Sequence, residues 1–177
     1  MLKYNICFVR RNNEILLLNR NKPSWMGAWN GVGGKLEEGE TPREAIFREV
    51  FEETGLNPPT MSFKGFVTWD VDDRYMGGMY LYLAELDTGI SYNTPIKIEE
   101  GILDWKPIEW IMHPENIGVA SHLPNYLPFL LEDEGCFNHH FLFRQGKLIG
   151  FISKPVQAAY ENYQGDLIQH FQEIAVI

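Results

Sequence analysis

Residues 33–56 decide the fold, and they read GGKLEEGETPREAIFREVFEETGL. Within this stretch Thr41 is placed to N-cap a helix, and Pro42 suits the first helical position because its missing N–H costs nothing there. Glu44 lies three residues after Thr41 and completes a capping box. Gly55 fits the left-handed position that follows a helix end. The sequence therefore predicts a helix that begins at the capping box and ends just before Gly55.

Three glutamates share one side of this predicted helix. At about 100° per residue, offsets of three and four place Glu49, Glu52 and Glu53 within one narrow arc. Carboxylates this close repel each other, and pairing with Arg48 relieves only part of the repulsion. A hard divalent cation with oxygen ligands would relieve the rest. The pattern alone also allows a solvated acidic face.

The segment just before the helix, Gly31-Val32-Gly33-Gly34-Lys35, is rich in glycine. Glycine lets a backbone pass close to a ligand or a metal and adopts left-handed angles freely. A carbonyl of such a turn would add a neutral oxygen ligand beside the carboxylates. Two adjacent glycines also occur in turns that bind nothing, so the turn alone does not decide between the two readings.

Outside this region, strand and helix patterns alternate without a regular βαβ order. The strands are predicted as two hairpins and a further strand pair, and the helices lie in the second half of the chain. The hairpins are Tyr4–Val9 with Glu14–Asn19 and Phe137–Phe143 with Lys147–Ile152; the pair is Phe63–Asp70 and Met79–Leu86; a further strand or extended segment is Trp105–Trp110; the helices are Pro124–Leu131 and Val156–Phe171. This mixture favours an α+β protein with a mixed sheet and helices packed on it.

The composition indicates a folded protein of one domain. The chain has 177 residues, of which 45% are hydrophobic, and its formal net charge is −9. An acidic protein gains nothing from counterion release, so we expect no long nucleic acid as a partner. The first residues lack the pattern of a signal peptide and no apolar run reaches membrane-spanning length, so we expect a cytoplasmic protein with no membrane partner.

The spacing of the fixed residues resembles the signature box of the Nudix hydrolases. Gly34 is followed after five residues by Glu40, and after seven more by REVFEETGL at 48–56, so that every fixed position of the box is met. The resemblance implies the Nudix fold, an α/β/α sandwich around a mixed β-sheet. We expect residues 1–155 to form this domain and residues 156–177 to be a C-terminal helical extension of it.

The resemblance also implies a metal site for Mg²⁺ or Mn²⁺. Its ligands would be the Gly33 carbonyl and the carboxylates of Glu49, Glu52, Glu53 and, from outside the box, Glu100. Glu99 is the alternative to Glu100 because the length of the intervening loop is uncertain. Glu52 or Glu53 is the expected catalytic base, with Glu100 as the alternative, and Arg48 is expected to orient Glu52.

Residues 29–35, WNGVGGK, resemble the entry to the box in MutT-type enzymes that hydrolyse oxidised purine nucleoside triphosphates. By this resemblance Asn30 would bind the base, and the alternative is an asparagine that only forms the turn before Gly31. Lys35 is a candidate for contact with a phosphate, and the alternative is a solvated lysine. The animal enzymes read the base with an adjacent pair of aspartates, whose places fall near His122 and Leu123 here. This departure puts specificity for 8-oxoguanine in question.

The resemblance favours hydrolysis of a nucleoside triphosphate, such as 8-oxo-dGTP, to a nucleoside monophosphate and pyrophosphate. Another nucleoside diphosphate derivative, such as ADP-ribose or a dinucleoside polyphosphate, is the alternative substrate. A nucleotide sensor without turnover is disfavoured because the box glutamates are complete. The expected partner is a small nucleotide, and the sequence leaves open whether the protein is a monomer or a homodimer.

Overall fold

A computed structural model describes residues 2–132, 134–163 and 165–175. Over these residues nine strands form one sheet. The strands are β1 Tyr4–Arg11, β2 Glu14–Arg20, β3 Trp29–Asn30, β4 Thr60–Val71, β5 Tyr75–Glu85, β6 Ile96–Ile98, β7 Gly101–Pro107, β8 Cys136–Arg144 and β9 Lys147–Val156. The helices are α1 Pro42–Thr54, α2 Ile108–Ile111, α3 Leu123–Glu132 and α4 Leu167–Ala175, with a 3₁₀ helix at Ala158–Asn162.

The sheet is mixed, as predicted. The strand order is β6-β7-β2-β1-β5-β4-β8-β9, with β3 paired to β2. Strands β1 and β5 are parallel, as are β4 and β8, whereas the other neighbours are antiparallel. The predicted α+β class is therefore confirmed.

Strand alternation divides the core into two layers, one on each face of the sheet. Cys7 of β1 faces the layer that contains Ile46 and Val50 of α1. The next residue of β1, Phe8, faces the layer that contains Leu127 of α3. Helices cover both faces, which gives the predicted α/β/α sandwich.

Helix α1 begins and ends where the sequence predicts. The Thr41 hydroxyl accepts a hydrogen bond from the Glu44 N–H, and the Glu44 carboxylate accepts one from the Thr41 N–H. Gly55 adopts the left-handed conformation with φ of 71°. Ile46 and Val50 of this helix are buried, whereas Phe47 and Phe51 are exposed.

The prediction of one helix over Val156–Phe171 is wrong. Val156 is the last residue of β9 and pairs with Cys136, so the strand continues into the predicted helix. Helix α4 begins only at Leu167, where the Asp166 carboxylate accepts the N–H of Ile168. Ladder pairing, a long-range contact, thus overrides the local pattern.

The segment Trp105–Trp110, predicted as a strand or an extended segment, changes structure within its length. Strand β7 begins earlier, at Gly101, and ends at Pro107, where the short helix α2 follows. In the described part of the chain no helix is long and apolar enough to cross a membrane.

Candidate active site

A cleft of 790 Å³ lies where the turn before α1 meets the sheet. Its walls come from β1, β2, β4, β5 and β8 as well as from this turn. Residues predicted for the site that line it are Asn30, Gly33, Lys35, Glu53 and Glu100. A second hollow of 550 Å³, beside Arg11 and Trp105, contains none of the predicted site residues.

Glu53 joins helix α1 to the glycine turn. Its carboxylate accepts a hydrogen bond of 2.8 Å from the backbone N–H of Gly33. Burial raises the pKa of Glu53 to about 7, and the carboxylates of Glu49 and Glu100 add to this rise. Because these carboxylates act on Glu53 electrostatically, negative charge converges at this end of the cleft.

Glu49 lies against the second glycine of the turn. A Cβ atom at Gly34 would stand 2.5 Å from a carboxylate oxygen of Glu49, so only glycine leaves room for this side chain. Burial raises the pKa of Glu49, whereas its hydrogen bond from Arg48 acts in the opposite direction. Of these two glycines, Gly33 has a positive φ, at 139°, and Gly34 does not, so position 34 requires glycine for close approach and not for its backbone conformation.

Arg48 holds the box together. Its guanidinium makes two hydrogen bonds to Glu40, at 2.7 and 2.9 Å, and these hold the pKa of Glu40 down at about 2. It also donates to Glu49 and Glu52, each at 3.1 Å. The Lys35 carbonyl accepts a further bond of 3.2 Å. Arg48 therefore connects the helix with the loop before it.

Glu100 lines the cleft, whereas Glu99 is not part of its wall. The Glu99 side chain is 89% exposed, so of the two neighbours Glu100 is the one placed beside Glu53. The Lys22 ammonium lies 2.7 Å from the Glu100 carboxylate. The pairing offsets part of the negative charge that Glu100 brings to the site.

The donors at this end of the cleft fit a hard divalent cation. Carboxylate and carbonyl oxygens are the ligands that such ions take, and the raised pKa of Glu53 reflects a charge that a cation would stabilise. Among the residues that the structure describes, no three acidic, histidine or cysteine side chains already form a metal cage. Glu52 points toward Arg48, with its side chain 57% exposed.

The other end of the cleft is aromatic. Trp25, Trp69 and Phe141 line it, and the Trp25 ring lies 4.9 Å from the ring of His122. Asn30 also lines the cleft; it is buried, and its side-chain oxygen accepts the N–H of Gly31 at 2.9 Å. Flat rings with a few polar groups are typical of a pocket for a planar ligand.

Sequence reasoning missed Arg20 and Trp25 as residues of the cleft, and it noted His122 only as the place of an absent aspartate. Arg20 ends β2, lines the cleft and lowers the pKa of Glu53 by its charge, although burial has the larger, opposite effect. Its Nε atom is buried and has no hydrogen-bond partner in the described residues. The sequence offers one signal for Arg20: it is a cationic residue at the end of a predicted strand, directly before the loop 21–28.

The profile of the NUDIX domain matches residues 2–127. The chain therefore belongs to the Nudix family, and it is a hydrolase of MutT type. It is 28% identical over 157 residues to the oxidized purine nucleoside triphosphate hydrolase of Mus musculus, covering 88% of this chain and 96% of the mouse protein. Nudix enzymes act on small nucleotides and generally use divalent metal ions.

Two further proteins are similar. An uncharacterized Nudix hydrolase of Bacillus subtilis is 28% identical over 143 residues, which are 77% of this chain and 84% of that protein. The crystal structure of a MutT protein from Bacillus halodurans superposes with a TM-score of 0.70 at 22% identity, covering 87% of this chain and 98% of that chain. At this identity the superposition establishes the fold.

Proposed function

We propose that the protein hydrolyses an oxidised purine nucleoside triphosphate, such as 8-oxo-dGTP, to a nucleoside monophosphate and pyrophosphate. The similarity to the mouse enzyme over nearly its full length supports this substrate class. The observation that carries the proposal is the hydrogen bond of Glu53 to Gly33 in the wall of a cleft that also contains Asn30. The proposed phosphate site and the proposed base site would thereby share one cavity.

The metal, which we propose to be Mg²⁺ or Mn²⁺, would be held by the acidic end of the cleft. Its ligands would be the Gly33 carbonyl and the carboxylates of Glu49, Glu52, Glu53 and Glu100. A divalent ion bound there supplies charge neutralisation for the diphosphate and a water of lowered pKa.

The residues of the chain have separate roles in this proposal. Glu53, whose carboxylate lies in the wall of the cleft, is the proposed acceptor of the proton from the attacking water, and Glu52 is the alternative base. Arg48 fixes Glu49 and Glu52 through its hydrogen bonds. Arg20 and Lys35 line the cleft as cations that a phosphate chain can contact.

Asn30 is proposed to bind the base. Its oxygen already accepts the Gly31 N–H, so its amide hydrogens are the groups that remain for a ligand. The aromatic rings of Trp25 and Trp69 would stack on the base. The net charge of −9 makes a small nucleotide a better substrate than a long nucleic acid.

A substrate panel tests this proposal. The protein is incubated with Mg²⁺ and 8-oxo-dGTP, dGTP, ATP or ADP-ribose, and the products are separated by anion-exchange chromatography. We expect 8-oxo-dGTP to give the monophosphate and pyrophosphate with the highest kcat/KM. Preferential cleavage of ADP-ribose would contradict the triphosphate assignment, and binding without any turnover would assign the protein as a sensor.

A further inference from the structure

Two tight turns lie side by side at one rim of the cleft. One joins β4 to β5, and the other joins β8 to β9. Strands β4 and β8 are parallel neighbours that stay paired as far as Val71 and Phe143, so both turns follow at the same end of the sheet. Val71 and Tyr75, beside the first turn, line the cleft, as do Phe143 and Gly146 at the second. The relative position of the two turns therefore sets the shape of this rim.

Side chains bond the two turns to each other. The Arg144 guanidinium donates to the Asp70 carboxylate at 2.7 Å and, through its other terminal nitrogen, to the Asp73 carboxylate. The Asp72 carboxylate accepts the backbone N–H of Gln145 at 2.8 Å. Within the first turn, Asp70 also accepts the backbone N–H of Asp73 at 3.0 Å. The three aspartates, Arg144 and Gln145 together form what we call the interlock.

The first turn carries strain and charge repulsion that Arg144 offsets. Asp72 and Asp73 have φ of 56° and 54°, a left-handed conformation that is uncommon for residues other than glycine. Together with Asp70 they place three carboxylates within residues 70–73, where like charges repel each other. Arg144 is bonded to two of these carboxylates. Its loss would leave both of them without this cation, so we expect the turn to open.

Arg10 provides an internal comparison. It forms an ion pair with Glu85 at 2.6 Å between β1 and β5, and its side chain is 30% exposed, close to the 28% of Arg144. The cleft is lined by residues at the beginnings of these two strands, Tyr4 and Tyr75. Arg10 and Glu85 lie near the other ends of the strands. The protein therefore has one ion pair of this kind at the cleft rim and one away from it.

We propose that Arg144 is a positioning residue for nucleotide binding, which holds the two turns together so that the cleft rim is in place before the ligand enters. Arg144 does not line the cleft and acts through the turns. If about one molecule in ten keeps the rim in place without it, the apparent Kd of a nucleotide rises about tenfold, because only that fraction can bind. The inference rests on the proposed function in taking the ligand to be a nucleotide.

The test measures affinity separately from turnover. Dissociation constants of 8-oxo-dGMP, dGMP and dAMP are measured by tryptophan fluorescence with Mg²⁺, because monophosphates contain no diphosphate bond to cleave. Steady-state kinetics with the preferred triphosphate give KM and kcat. In Arg144→Ala each Kd and KM should rise about tenfold while kcat stays within about twofold of the wild-type value, which is the signature of lost uniform binding. Arg10→Ala is the matched control, and it should leave Kd, KM and kcat unchanged.

A second variant distinguishes the interlock from a simple effect of charge. Arg144→Ala removes a positive charge near an anionic ligand, which by itself weakens binding. Asp70→Ala removes a negative charge, so charge alone would tighten binding, whereas loss of the interlock should weaken it about as much as Arg144→Ala does. The double variant should bind no more weakly than either single variant, because both changes break the same contact.

Arg144→Lys keeps the charge, but one ammonium cannot make both contacts, so its Kd should lie between those of the wild type and Arg144→Ala. This variant and Asp70→Ala carry the test if Arg144→Ala does not fold. Wild-type dissociation constants in the folded Arg144 variants, tighter binding in Asp70→Ala, equal weakening in Arg10→Ala, or no nucleotide binding by the wild type would overturn the inference. The proposed function fails separately, when the wild type cleaves no triphosphate even though its nucleotide affinity depends on Arg144.

Discussion

The Glu53 carboxylate and the Gly33 backbone N–H, 20 residues apart in sequence, are joined by a hydrogen bond of 2.8 Å. This bond fixes the helix α1 against the glycine turn. It also leaves the Glu53 carboxylate beside Glu49 and Glu100. Burial is the main cause of the raised pKa of Glu53, and the charges of these two carboxylates add to it. The proposed hydrolysis therefore depends on this contact between helix α1 and the glycine turn.

Replacement of Glu53 by glutamine should abolish most of the activity without unfolding the protein. The amide cannot accept a proton from water or carry a ligand charge, so we expect turnover to fall about 10²- to 10⁴-fold. Steady-state kinetics with 8-oxo-dGTP and circular dichroism provide the two readouts. Glu38→Gln is the control, because Glu38 is an exposed glutamate of the same box outside the cleft. Near-normal turnover in folded Glu53→Gln would remove the assigned role.

The stability of the metal-free protein should fall as the pH rises. The pKa of Glu53 is about 7 in the folded chain, above the ordinary carboxyl value of 4.5, so the folded state binds a proton more tightly than the unfolded state. Protonated Glu53 contributes its full stabilisation below about pH 4.5. As the pH rises from there to about 7, this contribution to the free energy of unfolding, up to about 3 kcal/mol, is lost.

Chemical denaturation of the metal-free wild type and Glu53→Gln at several pH values measures this difference. The variant lacks the titrating group. The free energy of unfolding of the variant minus that of the wild type should therefore be larger near pH 8 than near pH 4.5. Parallel pH profiles of the two proteins would show that Glu53 does not titrate as its burial implies.

Loss of Arg48 should both destabilise the protein and impair the site. Arg48 makes paired hydrogen bonds to Glu40 and further bonds to Glu49 and Glu52. We expect Arg48→Ala to lower the free energy of unfolding by about 2 kcal/mol and to raise the Mg²⁺ concentration needed for half-maximal activity.

Arg48→Lys should recover only part of this loss, because an ammonium cannot make the paired contact to Glu40. Arg74→Ala is the control, since Arg74 is an exposed arginine that is not part of the cleft wall and makes none of the contacts of Arg48. Full activity and unchanged metal dependence in Arg48→Ala would exclude the proposed orienting role.

Alanine at position 34 should weaken metal binding more than folding. The added Cβ would stand 2.5 Å from the Glu49 carboxylate, which is the end of a flexible side chain and can move aside at little cost to stability. Displacement of this ligand should lower Mn²⁺ affinity roughly 10-fold, measured by electron paramagnetic resonance. Gly89→Ala is the matched control, since a Cβ there meets nothing within 4 Å. Equal Mn²⁺ affinity in both variants would remove Glu49 from the ligand set.

The part of the fold that local signals encode was predictable from sequence. The capping box at Thr41 and the left-handed Gly55 depend on neighbours within four residues, and both occur as predicted. Strand pairing is different, because the partner lies elsewhere in the chain. Val156 looked helical by its local pattern but is held as a strand by Cys136.

The same distinction applies to the cleft. The residues of the box lie within one segment, so their spacing predicted the acidic end. Arg20, Trp25 and Trp69 come together with His122 only when β2, the loop after it, β4 and the segment before α3 are folded against one another. Nothing in the local sequence around any one of them indicates a shared cavity.

Phosphorus NMR of 8-oxo-dGTP hydrolysis during a Mg²⁺ titration tests the central claim most directly. The claim is that the carboxylates of α1 and the glycine turn together bind a divalent ion that hydrolysis requires. We predict no product in EDTA and, on addition of Mg²⁺, signals of 8-oxo-dGMP and pyrophosphate in equal amounts. Cleavage at an unchanged rate in EDTA, or release of inorganic phosphate with the nucleoside diphosphate as the initial product, would contradict the account.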